Sequence, residues 1–223
     1  MSELILAVDT THEFGSIALL GPEHLTEEVA LHSPEGFSRI LHLRIGALLE
    51  RHSVAIEHIH CFASASGPGS FTGVRIGLAC VKGLAEALGR PVVAVPNLEV
   101  VASYGSRPLR AAVLDARRGE VYAALYDERL RPVQAPVTAK LDEWIASLPE
   151  GDIEFLSPDI APLRSLNVPA TQVPRALAGA IARIGLQRFR AGAAIDPAFV
   201  DADYVRRSDA ELMWKEPTGP TPS

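Results

Sequence analysis

Cysteine is scarce. Cys61 and Cys80 are the only two in 223 residues, too few for a disulfide framework and set in neither a CxxC nor a zinc spacing. Their plainest reading is as two small buried thiols. Long apolar runs are missing too. Leu4–Val8 stops at Asp9, short of the ~7–15 residues of a signal-peptide core, and no basic start precedes it. No stretch approaches the ~20 uncharged apolar residues of a membrane span. The expectation is a soluble, cytoplasmic protein. Basic charge is also in deficit: 21 Lys and Arg against 27 Asp and Glu leave −6 at pH 7, which argues against a broad non-specific nucleic-acid surface. What is present is ordinary for a globular chain. Hydrophobic residues make 48% and charged residues 22%, which excludes a disordered or fibrous protein, and the length suits one large domain or two small ones.

The chain reads as an α/β alternation. Leu4–Val8, Phe14–Leu20 and His24–His32 suggest an antiparallel meander. Ser33-Pro34-Glu35-Gly36 opens a helix to about His52, whose Phe37, Leu41, Ile45, Leu48 and Leu49 fall within a ~120° arc facing a core. Ile59–Ala65 is a further strand, and a Gly-rich turn then leads into a helix ending near Leu88, with Gly89 as its C-cap and Pro91 beyond. Val92–Val95 is a strand and Leu98–Tyr104 a short helix, which completes a ribonuclease-H-like half. The second half repeats the theme: strands at Arg110–Leu114 and Glu120–Tyr126, a helix at Thr138–Ser147, a strand at Ile153–Leu156 and a helix at Pro174–Arg190. Apolar strand, Asp, turn, strand thus occurs twice, at Asp9 and Asp115, as a weak internal repeat. The expected division is 1–105, 106–214 and a disordered tail at 215–223, where three prolines and a glycine cluster.

Few residues carry a chemical signature. The loop Gly67, Pro68, Gly69, Ser70, Phe71, Thr72, Gly73 joins a strand to a helix. Its glycines serve either a tight, closely packed corner or an anion site at the helix N-terminus. It fits neither a Walker A loop nor a GxGxxG fingerprint. Asp9-Thr10-Thr11 at a strand end resembles the first phosphate loop of the sugar-kinase, Hsp70 and actin superfamily. Thr10 stands where a glycine usually lets backbone approach phosphate, so Asp9 and Thr10 read as a vestigial phosphate loop. All seven histidines lie within residues 12–60, without HxxxH or HExxH spacing, and read as ordinary side chains rather than metal ligands. No GxSxG occurs. No catalytic residue, metal or cofactor is expected.

Ala65-Ser66-Gly67-Pro68-Gly69-Ser70-Phe71-Thr72-Gly73-Val74-Arg75-Ile76-Gly77 is preceded by Ala7-Val8-Asp9-Thr10. It is followed by Asp115-Ala116-Arg117-Arg118-Gly119-Glu120-Val121-Tyr122. In order and spacing, from residue 4 to about 126, these segments resemble the bacterial TsaB/YeaZ family of tRNA threonylcarbamoyladenosine biosynthesis proteins. Asp203-Tyr204-Val205-Arg206 resembles the family's closing segment. The resemblance implies two ribonuclease-H-like lobes of the actin-like ATPase superfamily, the second reduced. It implies a non-catalytic partner of a TsaD-type subunit, which transfers a threonylcarbamoyl group to adenosine beside the anticodon of tRNAs reading ANN codons. A TsaE-type P-loop ATPase joins the assembly, and a separate enzyme makes the threonylcarbamoyl-adenylate donor from threonine, bicarbonate and ATP. The metal-binding HxxxH of TsaD-type proteins is absent here. Gly36 or Phe37 stands where many family members have His.

The helix faces support a scaffold independently. After the glycine loop, Arg75, Lys82 and Glu86 make a charged stripe, Gly77, Leu84 and Leu88 lie opposite, and Ile76, Cys80, Gly83 and Ala87 form a small apolar flank. On the preceding helix, Ile40, Leu43 and Ala47 form a second stripe off the core arc, bordered by Arg39 and Glu50. Ile40, Leu43, Ala47, Ile76, Cys80 and Gly83 are therefore the candidate partner interface. The alternative is that the two helices simply pack on each other. The partner is a second copy or the TsaD-type subunit, with tRNA reached only through the complex. Rival readings are a standalone nucleotide-dependent ATPase or kinase and, more weakly, a peptidase.

Overall fold

Alternating side chains along each central strand feed two different cores, and this periodicity sets the architecture. The computed structural model describes residues 3–21, 24–165, 168 and 170–205. Strand β1 (Ile5–Asp9) is wholly buried: Ile5 and Ala7 point to one core, Leu6 and Val8 to another. It pairs antiparallel with β2 (Phe14–Leu20), Ile5 opposite Leu20 and Asp9 opposite Ser16. β2 in turn pairs with β3 (Leu25–His32). After helix α1 (Leu41–Arg51), β4 (Cys61–Gly67) joins β1 in parallel. After α2 (Phe71–Leu88), β5 (Val92–Pro96) joins β4 in parallel. Helix α3 (Asn97–Ala102) closes this half.

The second half repeats every pairing. β6 (Leu109–Arg117), β7 (Glu120–Asp127) and β8 (Pro132–Ala139) are an antiparallel meander. β9 (Ile153–Ser157) runs parallel to β6, and β10 (Ala170–Gln172) parallel to β9. The orders β3-β2-β1-β4-β5 and β8-β7-β6-β9-β10 are therefore the same five-stranded sheet built twice. The helices correspond as well, α4 (Leu141–Ala146), α5 (Ala161–Ser165) and α6 (Ala178–Arg190) following the third, fourth and fifth strands. α4 and α5 are shorter than α1 and α2, whereas α6 is longer than α3.

Between the sheets, α3 packs on β6 and β7, while α6 packs on β1, β2, β4 and β5. Their side chains merge with both inner sheet faces into one core. Arg188 ties the two helices together by pairing with Glu99 at 2.6 Å and donating to the Ala94 carbonyl at 2.9 Å. α1 and α2 cover the outer face of the first sheet, and Leu141, Trp144 and Leu163 cover that of the second.

Some boundaries differ from the sequence reading for physical reasons. The helix expected from Ser33 starts only at Leu41, because Gly36 turns the chain at φ 94° and a single 3-10 turn, Phe37–Arg39, intervenes. Its core arc is as expected: Phe37, Leu41, Ile45, Leu48 and Leu49 are all buried. Thr138 and Ala139, read as helical, end strand β8, and the helix starts at Leu141. The expected helix from Pro174 begins at Ala178. Its first amides are capped from far away: Ser16 Oγ accepts from Leu177 N at 3.1 Å and Ala178 N at 2.9 Å, and Glu28 Oε1 accepts from Gly179 N at 2.9 Å. The 215–223 tail lies outside the described residues.

The Ser16 clasp gives a direct test. Ser16 is fully buried, so Ser16→Ala strands two amide donors at the head of α6. Such a loss costs about 2 kcal/mol, which should lower the melting temperature by about 4–8 °C. A melt unchanged within error would show that α6 is held by its apolar face alone.

Candidate functional site

The glycine loop owes its composition to close approach of backbone. Ser70 caps α2, its Oγ accepting from Gly73 N at 3.3 Å. Ser70 N donates to the Thr11 carbonyl at 2.7 Å, and Thr10 Oγ1 donates to the Gly73 carbonyl at 2.7 Å. The β1–β2 turn thus rests on the corner. A Cβ on Gly73 would meet Thr10 O at 2.0 Å, and one on Gly69 would meet Thr11 O at 2.6 Å. Neither glycine has a positive φ; in this loop only Gly67 does, at 107°. The cost expected for alanine at Gly69 and Gly73 is therefore collision rather than backbone strain. The Thr10 and Thr11 carbonyl oxygens, negative ends of their dipoles, stand over the positive end of α2.

Behind the corner lies a buried polar cluster. Asp9 Oδ1 accepts from Thr11 N at 2.9 Å and Thr11 Oγ1 at 2.7 Å. Asn97 bridges it to the loop, donating to Thr11 Oγ1 at 2.7 Å and accepting from Gly67 N at 2.9 Å. Because Thr11 Oγ1 spends its proton on Asp9, its 2.9 Å contact with His12 Nδ1 requires the imidazole to donate, which places the ring proton on Nδ1. Asp9 Oδ2 and His12 Nε2 are buried with no hydrogen-bond partner among the described residues. Burial pushes the His12 pKa below its ordinary 6.5, against the upward pull of Asp9 and Asp115 and with a smaller downward push from Arg117. Asp115, the counterpart of Asp9, makes the same turn, its Oδ1 accepting from Arg117 N at 2.7 Å.

These two turns face each other across a cleft of about 980 Å³. Its walls include His12 and Phe14 on one side, Asp115 and Arg117 on the other, and Phe71 and Tyr204 at α2. Among the described residues no three His, Cys, Asp or Glu side chains gather to hold a metal ion. The histidines serve separate contacts: His52 pairs with Glu27, His60 accepts from Leu4 N, and His42 Nε2 lies 3.8 Å from Cys80 Sγ. Burial pushes the Cys61 thiol up to about 12 and the Cys80 thiol up to about 11.

The outer helices leave a face open. On α1 Leu43 is 75% exposed and Gly46 is exposed, and on α2 Ala79, Gly83 and Ala87 are exposed. Of the expected interface residues, Leu43 and Gly83 lie on this face and Ile40, Ala47 and Ile76 are half-buried. Cys80 is already enclosed, turned toward His42 of α1. Ala79 and Gly46, off the apolar stripes named from the sequence, are exposed as well. A strap, of which the sequence reading named only the segment from Asp203, borders α2: Ile195 bridges to Val92, Lys82 Nζ donates to the Val200 carbonyl, and Asp203 N donates to the Ser66 carbonyl. Tyr204 accepts from Arg75 Nε at 3.0 Å. Arg206 of the expected closing segment lies outside the described residues.

Two sheets of one shared strand order, with equivalent Asp turns facing across one cleft, define the two-lobed α/β class of the actin-like ATPase superfamily. Residues 32–179 match the family model TsaD: tRNA N6-adenosine threonylcarbamoyltransferase. The chain is 30% identical over 230 aligned residues to the tRNA threonylcarbamoyladenosine biosynthesis protein TsaB of Bacillus subtilis, covering 95% of this chain and 98% of that one. It is 37% identical over 126 residues to TsaB of Escherichia coli, covering 55% and 54%. The solved structure of YeaZ from Pseudomonas aeruginosa superposes with a TM-score of 0.73 at 28% identity, covering 91% of this chain and 99% of that one. The chain belongs to the TsaB/YeaZ family, as the Ala65–Gly77 segment indicated.

Two outcomes check the site. Gly73→Ala and Gly69→Ala should each destabilise by about 1–3 kcal/mol through overpacking, whereas Gly83→Ala, where a Cβ meets nothing within 4 Å, should stabilise the isolated chain by up to about 1 kcal/mol. Denaturant titration of the three separates collision from propensity. His12, neutral when folded, contributes stability that is present above its ordinary 6.5 and is lost as pH falls toward its lowered value. Between pH 7.5 and 5.5 the unaltered chain should therefore lose up to about 1 kcal/mol more than His12→Gln. Equal losses would place the imidazole in water.

Proposed function

We propose that this chain is a non-catalytic subunit of the cytoplasmic assembly that makes threonylcarbamoyladenosine in tRNA. In this reading it binds and activates a TsaD-type transferase through the outer face of α1 and α2, and a TsaE-type ATPase and tRNA join through the complex. The observation that carries the reading is the position of the Thr10 and Thr11 carbonyls, which take the space and one of the donors that a phosphate would need at the head of α2. The exposed Leu43 face supports a partner role, since a large apolar side chain beside small residues gains by being covered. The standalone ATPase or kinase reading is not favoured by the relatives.

Co-elution of the chain with a TsaD-type subunit, followed by threonylcarbamoylation of tRNA with and without the chain, tests this proposal. Leu43→Glu should leave the melting temperature unchanged, because the side chain is in water, yet weaken the complex by about a hundredfold by burying an unpaired charge. A Leu43→Glu chain that still binds and activates at full strength would sink the interface assignment.

A further inference from the structure

The cleft between the lobes is lined by hydrogen-bonding groups that the chain does not use itself. Thr10, Thr11 and His12 form part of its wall, and Asp9, 1% exposed, stands directly behind them. Asp9 Oδ2 and His12 Nε2 are buried without a hydrogen-bond partner among the described residues. With the ring proton on Nδ1, both atoms are acceptors, so the group missing at this spot is a donor. Native interiors rarely leave such groups unpaired. Asp115 and Arg117 face His12 from the second lobe, close enough to act on its charge. Arg117 is held there under strain, at φ 62°, with Arg118 beside it at φ 56°. These left-handed positions of the β6–β7 hairpin suit Gly, Asn or Asp, and an arginine persists in one where its side chain is needed.

We propose that the floor of this cleft binds a free α-amino acid. Its ammonium group donates to Asp9 Oδ2 and His12 Nε2, with Asp115 adding negative charge from across the cleft. Arg117 receives its carboxylate. Buried acceptors opposite a guanidinium call for one small molecule that is a donor at one end and an anion at the other. A phosphate at the head of α2 would meet the Thr10 and Thr11 carbonyls instead. A metal ion finds no three ligands among the described residues. The two orphaned acceptors are closed to bulk water, so the amine takes the missing donor's place at the floor and not at the open mouth. A cleft of about 980 Å³ leaves room above the floor for the amino-acid side chain, with Phe14 and Tyr122 in the wall. None of the four binding residues belongs to the α1–α2 face, so the site is independent of the transferase assignment.

Thermal melts and calorimetric titrations of the full chain, without any partner, test the site at about pH 7.5, where His12 is neutral. The probes are the standard amino acids, each alone at about 10 mM. At least one should saturate with a Kd of about 1 mM or tighter and raise the melting temperature by about 3–5 °C. The matching 2-hydroxy acid, and the matching amine without a carboxylate, should each bind at least about tenfold more weakly. Asp9→Asn keeps an oxygen for Thr11 and sets an amide N–H in place of Oδ2, so it should weaken binding about tenfold or more. Arg117→Gly should weaken binding as much, yet raise the melting temperature of the unliganded chain by relieving the left-handed strain. An arginine that serves only the turn would shift the melt and leave binding alone. Should Asp9→Asn misfold, Arg117→Gly and the two analogues decide. No saturable binding by any of the amino acids would overturn the proposal and leave the orphaned acceptors to ordered water. Equal binding of either analogue, or undiminished binding by either folded variant, would overturn it as well.

Discussion

The carbonyl oxygens of Thr10 and Thr11 occupy the space that side chains at Gly73 and Gly69 would fill. The rest of the first lobe is set from that contact. It seats the β1–β2 turn on the head of α2, so α2 is fixed at both ends, by this corner and by the left-handed Gly89 at φ 60°. With α2 fixed, Val74, Leu78 and Val81 face the sheet and Arg75, Ala79, Gly83 and Glu86 face outward. The same contact turns dipoles of the wrong sign toward any anion at the helix head. One packing solution thus fills the corner with backbone and leaves the opposite side of the helix exposed.

The duplication distributes the work unequally. The first lobe keeps an 18-residue second helix, long enough to carry a ridge with distinct ends. Its counterpart in the second lobe has 5 residues and serves mainly to bring Leu163 into the outer core. The central helices are shared between sheets, with α6 capped by Ser16 and Glu28 of the first sheet. The lobes are joined by a common core and a half-buried ion pair rather than by a flexible linker.

Much of this was legible where the signals are local. The buried strands, the core arc of α1, the Gly89 cap and the Asp9/Asp115 repeat all follow from periodicity or from one residue's conformational freedom. What escaped depends on distant partners. β8 contains Pro132 and Pro136 and little alternation, and it is stable only as an edge strand against β7. The start of α6 has no capping residue of its own, because its caps lie some 150 residues earlier in the chain. The strap along α2 is a run of short turns whose hydrogen bonds go to Ser66, Arg75 and Lys82. At the site, the glycine pattern located the corner and offered close packing as one of two reasons for it, but not the Thr10 and Thr11 carbonyls against which it packs. Cys80 looked like interface on a helical wheel because the wheel cannot show that His42 already covers it.

If the corner is filled by the chain's own backbone, the isolated protein has no place for a triphosphate despite the cleft and the orphaned Asp9 oxygen. Calorimetric titration of the purified chain with magnesium–ATP tests this most directly. The expected result is no saturable heat up to about 1 mM nucleotide. A saturable isotherm with a Kd below about 100 μM, abolished by Asp9→Asn, would contradict it and restore the loop as a working phosphate site.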